Sequence, residues 1–410
     1  MSLVNKIQRL GSATRPRPDG RERLGAARAA LCAVFAAHGF IFASWAVRVP
    51  AVKEQTGASS AVLGLALLGL SAGAVAMMLI AGRLCRRFGS ERVAVISCAL
   101  LSVTVVLPAL ARSATELGLA LLIFGAAYGC LNVAMNSIAV DLVAALRRPV
   151  MPGFHAAWSF GGLAGAGLGG LLAPHLSPVR DLSLVALAGL IVTALAGRTL
   201  LRSAPPGAPA PAEAPARRGA LETARAVGVF GLIALCAAYD EGAIGDWGAL
   251  HLREDLGVGV GLAAAGYAAF ALAEATGRLS GSSLLEHLGR TRVLVAGGLT
   301  ACAGMLLASL APDVWLALAG FAATGLGLAN LFPAAIARAG LLAGSDGVAL
   351  TSMLGYSGFL LGPPAIGFLA GEFGLRAGLT TLSFLALAAA AIAYGSRDTP
   401  AADAESRSAG

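Results

Sequence analysis

Val52-Lys53-Glu54-Gln55-Thr56-Gly57 recurs 200 residues later as Leu252-Arg253-Glu254-Asp255-Leu256-Gly257. Other fragments keep nearly the same spacing. Gly82-Arg83-Leu84 returns as Gly277-Arg278-Leu279 at an offset of 195, and Phe88-Gly89 as Leu288-Gly289 at an offset of 200. Asn132 answers to Asn330, and Trp158-Ser159 to Tyr356-Ser357, both at an offset of 198. Long apolar runs surround these fragments. The chain therefore reads as one bundle of membrane helices written twice. Doubled bundles of this kind place a polar cavity where their halves meet, near the bilayer midplane.

Composition agrees. Hydrophobic residues make up 57% of the chain and charged residues 13%, with a mean hydropathy of +0.78. A soluble surface needs more charge than that, whereas a lipid-facing one needs little else. Apolar runs of membrane-spanning length fall at 26–48, 61–82, 93–112, 117–140, 152–174 and 182–201, then at 226–249, 258–280, 293–312, 314–338, 347–370 and 376–396. The expected fold class is an all-α integral membrane protein of twelve transmembrane helices, in two six-helix bundles related by a pseudo-twofold axis along the membrane normal. The division expected is a basic tail over 1–25, an N-terminal bundle over 26–202, a linker over 203–222, a C-terminal bundle over 223–396 and a second tail over 397–410. Residues 203–221 are rich in Pro and Ala and read as an extended linker.

Basic residues set the orientation. With the N-terminus inside, 24 of the 30 Lys and Arg fall on the inner side and 6 on the outer, which predicts cytoplasmic N- and C-termini. The net charge of +8 then reflects orientation in the membrane, and with no basic stripe interleaved with aromatics it predicts no nucleic-acid partner. A polar, basic N-terminal segment before a long apolar run reads as a retained anchor and not a cleaved leader. The six cysteines lack paired spacing, so neither a disulfide framework nor a metal site is expected. No cofactor is implied. Only Lys6 and Lys53 exist, and neither follows a phosphate-loop pattern. Hydrolase and metalloenzyme motifs are also missing, so an enzyme is not expected.

The loop after the second span, Gly82-Arg83-Leu84-Cys85-Arg86-Arg87-Phe88-Gly89-Ser90-Glu91-Arg92, resembles the G-x-L-a-D-r-x-G-r-k signature of the major facilitator superfamily (MFS). Both glycines, Leu84 and Arg87 match, and Arg86 stands where the family has Asp. The resemblance covers nearly all of 26–396. His155-x-x-Trp158-Ser159 and Asp240-Glu241-Gly242 followed by Asp246-Trp247 are similar to a bacterial fucose-permease-like branch of largely unassigned substrate. The resemblance implies alternating access, with a gating role for Gly82, Arg83, Arg87 and Gly89. It puts in doubt a salt bridge made through the missing Asp.

Ionisable side chains in the hydrocarbon cost about 2.5–3.5 kcal/mol each on insertion scales, so each needs a reason. His38 and Trp45 are seven residues apart, as are Asp240 and Trp247, and two helical turns put each pair on one face. Aligning the tryptophans superposes His38 on Asp240. One reading is a symmetric cavity in which His38 with Asp240 or Glu241 binds protons or substrate. The other is a buried His on a carbonyl and tryptophans at the interface. Asp240 is expected to face the cavity and Glu241 a helix contact, because Glu241 shares its face with the small residues Ala237 and Gly245. Glu274 precedes Arg278 by four residues, the favoured order for a helical ion pair, and a structural bridge near the inner surface is expected there. His155 and Trp158 open the fifth span, where His155 either gates the inner mouth or caps neighbours. Asn132 and Asn330 either bind solute or join helices. Tyr356 is a cavity candidate by its match to Trp158.

The function expected is secondary active transport of a small polar solute, a sugar or metabolite, coupled to protons and carried out by a monomer in the lipid bilayer. Drug/proton antiport is the alternative. Gly161, Gly165, Gly169 and Gly170 fit its fifth-span signature, but Ala166 replaces the Pro. A membrane sensor on a transporter scaffold is a further alternative.

Overall fold

The computed structural model describes residues 20–58, 60–203 and 220–397, so most of the expected tails and linker lies outside the described residues. Those described form helices without a strand among them. The N-terminal half contains α1 (Gly20–Thr56), α2 (Ser60–Phe88), α3 (Ser90–Thr104), the single turn α4 (Leu107–Leu110), α5 (Ala114–Leu146), α6 (Met151–Leu172) and α7 (Pro178–Ser203). The C-terminal half contains α8 (Ala220–Glu254), α9 (Val260–Leu288), α10 (Arg290–Leu310), α11 (Val314–Leu328), α12 (Leu331–Phe373) and α13 (Leu375–Gly395).

Nine helical stretches among the described residues are long and apolar enough to cross a membrane. One of them, Val314–Phe373, is two spans: Ala343 (φ −140°, ψ 20°) and Gly344 (φ 57°) break α12 in the middle. The helices α6 and α9 have the length but are diluted by glycine, serine and charge. With these, the count reaches the expected twelve.

The turns that end the helices repeat in a single register. Gly57 and Gly257 (φ 64° and 68°) end the first helix of each half, and Gly89 and Gly289 (φ 87° and 78°) make the turn after the second, all at an offset of 200. Glycine suits those turns because a Cβ there is strained. Ser113 and Asp313 each cap the helix that follows, accepting from the backbone N–H of Glu116 and of Trp315 and Leu316 respectively. Packing repeats too. The backbone of α6 presses on α1 with Gly161 at Ala36 and Gly165 at Phe40, and α12 presses on α8 with Gly358 at Leu235 and Gly362 at Tyr239. Small residues permit this close approach, which is how helices associate in lipid.

That register corrects two expected alignments. Helix α9 runs ten residues past Arg278 before its turn, so Gly277-Arg278-Leu279 is not the copy of the Gly82 loop. At an offset of 200, Arg278 stands where the N-terminal half has Met78, in mid-helix. The second span of the C-terminal half therefore extends beyond its expected end at 280. The contacts of α1 and α8 follow an offset of 199, so Asp240 answers to Ile41 and not to His38.

Within each half the helices surround an apolar core, and the halves meet along a seam formed by α2, α5, α6, α9 and α12. Arg86 pairs with Asp346 across it, and Arg148 donates to Glu286 at 2.8 Å. Deeper, Val140 packs beside Gly340 and Pro152 beside Gly281. These contacts close the seam at the end that the arginine count assigns to the cytoplasm.

Candidate functional site

A polar cluster lies at mid-height of the seam, and Arg278 is its centre. Its Nη2 donates to Glu274 Oε1 at 2.6 Å and stands 3.8 Å from Glu241 Oε2. Its Nη1 donates to Ser159 Oγ at 2.6 Å, across the seam on α6, and its guanidinium lies 5.9 Å from the Trp158 ring. Its Nε donates to the carbonyl of Ala329 at 3.4 Å. That carbonyl is free because the residue four places on is Pro333, which has no N–H to give the helix. The missing N–H also separates α11 from α12 at Ala329–Asn330, so one proline both breaks the helix and provides an acceptor for the arginine.

The N-terminal half contributes neutral groups. Trp158 Nε1 donates to His38 Nδ1 at 3.0 Å, and His38 Nε2 faces the carbonyl of Tyr128 at 3.4 Å. An indole only donates, so the imidazole proton belongs on Nε2 in this arrangement. The His38 ring stacks on Tyr128 with centroids 3.9 Å apart. Tyr128 in turn meets Tyr356 edge-on at 5.8 Å, and Asn132 Nδ2 donates to the Tyr356 hydroxyl at 3.5 Å, both across the seam. Below this, Ser159 donates to the carbonyl of His155, and His155 Nε2 faces Asn136 Oδ1 at 3.2 Å. The His155 ring sits between Phe35 of its own half and Phe332 of the other.

The structure thus gathers His38, Asn132, Trp158, Tyr356, Glu241 and Glu274, with His155 just beneath. It does not bring in Asp240. That side chain is buried on the side of α8 toward α10, within electrostatic reach of Cys236 and Cys302, and neither of its oxygens has a hydrogen-bonding partner among the described residues. Successive helical residues point about 100° apart, so α8 sends one acid of the pair to the seam and the other into its own bundle. The expectation had these reversed. Ala237 and Gly245 suggested a close helix contact, but Gly245 makes room for the Tyr267 ring, and Gly242 for Phe359.

The tryptophans do not form a symmetric pair either. Trp45 belongs to the core of the N-terminal half, while Trp247 is half-buried beside Gly367 of α12. Asn330 donates to the carbonyl of Gly277 at 3.2 Å and ties α12 to α9, so its contacts are structural. In the gating loop, Gly82 faces Asp346 and Ser345 across the seam, Gly89 makes the turn, Arg87 lies over Phe88, and Arg83 is exposed. A salt bridge through the family's Asp was in doubt; the residue in its place, Arg86, pairs instead with Asp346.

Sequence reading missed Arg278 as the hub, along with Ser159, Tyr128 and Pro333. The signal was available: applied throughout, the 200-residue register puts Glu274 and Arg278 together in mid-membrane.

The comparisons with known proteins agree with this architecture. The Major Facilitator Superfamily model matches residues 30–239 and again 230–410. An uncharacterized MFS-type transporter of Yersinia pestis is 33% identical over 362 residues, 87% of this chain and 92% of that protein. Membrane protein MosC of Rhizobium meliloti is 32% identical over 345 residues, 83% of each chain. Among solved structures, the E. coli fucose:proton symporter FucP superposes with a TM-score of 0.71 at 18% identity, covering 89% of this chain and 97% of its own. The proton:xylose symporter XylE gives 0.71 at 12%, covering 92% and 96%. The chain belongs to the Major Facilitator Superfamily and is a multi-pass membrane transporter.

Proposed function

We propose that this transporter moves a small polar solute across the bacterial inner membrane by alternating access, coupled to protons, as a monomer with both termini cytoplasmic. The observation behind this is that two carboxylates, Glu274 buried and Glu241 mostly so, share the single guanidinium of Arg278. Two negative charges and one positive leave an uncompensated charge that costs several kcal/mol away from water, and one proton removes it. Glu274 has the strong bond to Arg278, so Glu241, without a hydrogen bond to it, is the carrier. Opening the seam to either side wets the cluster and allows the proton to leave or return. Across a potential of 100 mV one proton supplies about 2.3 kcal/mol, roughly 50-fold accumulation.

His38, Tyr128, Asn132, Trp158 and Tyr356 offer hydrogen-bonding groups and aromatic faces to a solute beside the carrier. The fucose:proton and proton:xylose symporters of the same fold support the reading by analogy. Purified protein in liposomes, given a panel of sugars and metabolites with an internal pH dye, tests it. Solute entry with internal acidification is expected, and Glu241→Gln should keep exchange but lose accumulation. Uptake indifferent to an imposed pH gradient would sink the proton claim.

A further inference from the structure

Arg278 is shared between the halves: its strongest bonds run to Glu274 in its own helix and to Ser159 across the seam, each at 2.6 Å. We propose that the Arg278–Ser159 bond is a latch that holds the halves together at mid-membrane while Glu241 is protonated and releases when Glu241 ionises. The proposal rests on the proton reading of the same site.

A guanidinium presents its donors in one fixed plane. Here Nε gives its hydrogen to Ala329, Nη2 one of its two to Glu274 and Nη1 one to Ser159, while Glu241 stands 3.8 Å from Nη2, too far to accept its second N–H. Closing that gap draws the guanidinium toward α8 and away from α6. A bond to a carboxylate is about twice as strong as one to a neutral hydroxyl. When Glu241 ionises, the contact surrendered is therefore Ser159, and with it the approach of the cation to Trp158. Arg278 then belongs wholly to the C-terminal half, and α6 and α9 can separate.

Among the described residues, ionisable groups reach Glu241 from several helices, and Asp246 of its own helix shares Tyr267 with it. Helix α9 presents Glu274, Arg278 and Tyr267, α12 presents Tyr356, and α5 presents Tyr128. His155 on α6 lies within electrostatic reach of Arg278 and of His38 on α1. On its own helix, Asp240 is the adjoining residue but points toward Cys302. Arg278 is the one cation in this set that contacts a carboxylate.

The test measures the seam directly. Spin labels go on Phe88→Cys and Leu341→Cys, exposed at the closed end of opposite halves, in full-length protein whose six native cysteines are replaced by alanine. Distances are recorded from about pH 5 to about pH 9, a range that spans a carboxyl held in or out of ionisation by its surroundings. In the parental chain the short distance should dominate in acid and decline with rising pH. Glu241→Gln should hold it at every pH. Ser159→Ala should lower the ratio of short to long distances in acid by about tenfold, the loss of one bond to a charged donor, and flatten the pH response. Ser159→Thr, which keeps the hydroxyl, should restore it. A parental pH response in Ser159→Ala, with Glu241→Gln fixed, would overturn the latch and leave the proton carrier standing. A parental response in Glu241→Gln would overturn both.

Discussion

Arg86 and Asp346 meet across the seam with their charges in the opposite order from the family signature, in which the loop carries the acid. Here the loop carries the base and the facing half carries the acid. Both side chains are about half exposed, and such pairs contribute about 1 kcal/mol at most. Arg86→Asp should therefore lower the closed population about fivefold or less, and the exchange Arg86→Asp with Asp346→Arg should recover it. Label distances at the same end of the protein measure both, and a double exchange no better than the single one would show that the pair does not act as a unit.

The pair Arg48–Asp181 has a different character. Nε donates to Oδ2 at 2.6 Å with both side chains 2% exposed, and Nη1 donates to the carbonyls of Ala173 and Leu176. This ties α1 to the turn between α6 and α7. Removing one partner strands the other charge in the core, at a cost of about 3–5 kcal/mol. Arg48→Met and Asp181→Leu alone should each lower the melting temperature sharply. Together they should cost much less, because no buried charge is left behind.

Asp240 predicts the opposite. Its buried carboxyl lacks a hydrogen-bonding partner among the described residues, and an unmatched polar group costs about 1–3 kcal/mol. Asp240→Leu should hold or raise the melting temperature, and Asp240→Asn should accumulate solute as the parental chain does. Loss of accumulation in Asp240→Asn with normal behaviour in Glu241→Gln would return the carrier role to Asp240.

Pro333 leaves the Ala329 carbonyl for Arg278. Pro333→Ala supplies an N–H that competes for it and straightens the junction of α11 and α12. Stability should change little, since Pro333 lies in the first turn of α12, where proline is tolerated. The Arg278 cluster should suffer, with a slower concentrative uptake at unchanged expression. A faster or unchanged rate would mean that the acceptor is dispensable.

Much of the architecture was legible because the loops that end each span recur at an offset of 200 and membrane-length apolar runs are hard to mistake. The errors came from matching letters at other offsets. In a chain so rich in Ala, Gly and Leu, a triplet such as Gly-Arg-Leu recurs by chance, and Trp45 and Trp247 invited a similar slip. The positive-φ glycines at 57, 89, 257 and 289 carry the true register, because backbone geometry requires them there. Which face of α8 meets the seam was not legible, since a small residue such as Gly245 can admit a neighbouring backbone or, as here, a tyrosine ring. Contacts such as Arg278 with Ser159 join positions 119 apart and depend on how two helices cross.

The three charges of the central cluster, on Glu241, Glu274 and Arg278, are all carried by α8 and α9, whereas His38, Tyr128, Asn132, Trp158 and Ser159 come from the other half. On the proposed function, a duplicated backbone is divided between two trades, the C-terminal copy keeping the power supply and the N-terminal copy, with Tyr356 from across the seam, presenting the counter at which cargo is met. Such a chain can change its cargo by drift in one copy while the other remains untouched. A chimera that takes its N-terminal half from the Yersinia relative and its C-terminal half from this protein should inherit its solute from the first parent and its driving ion from the second.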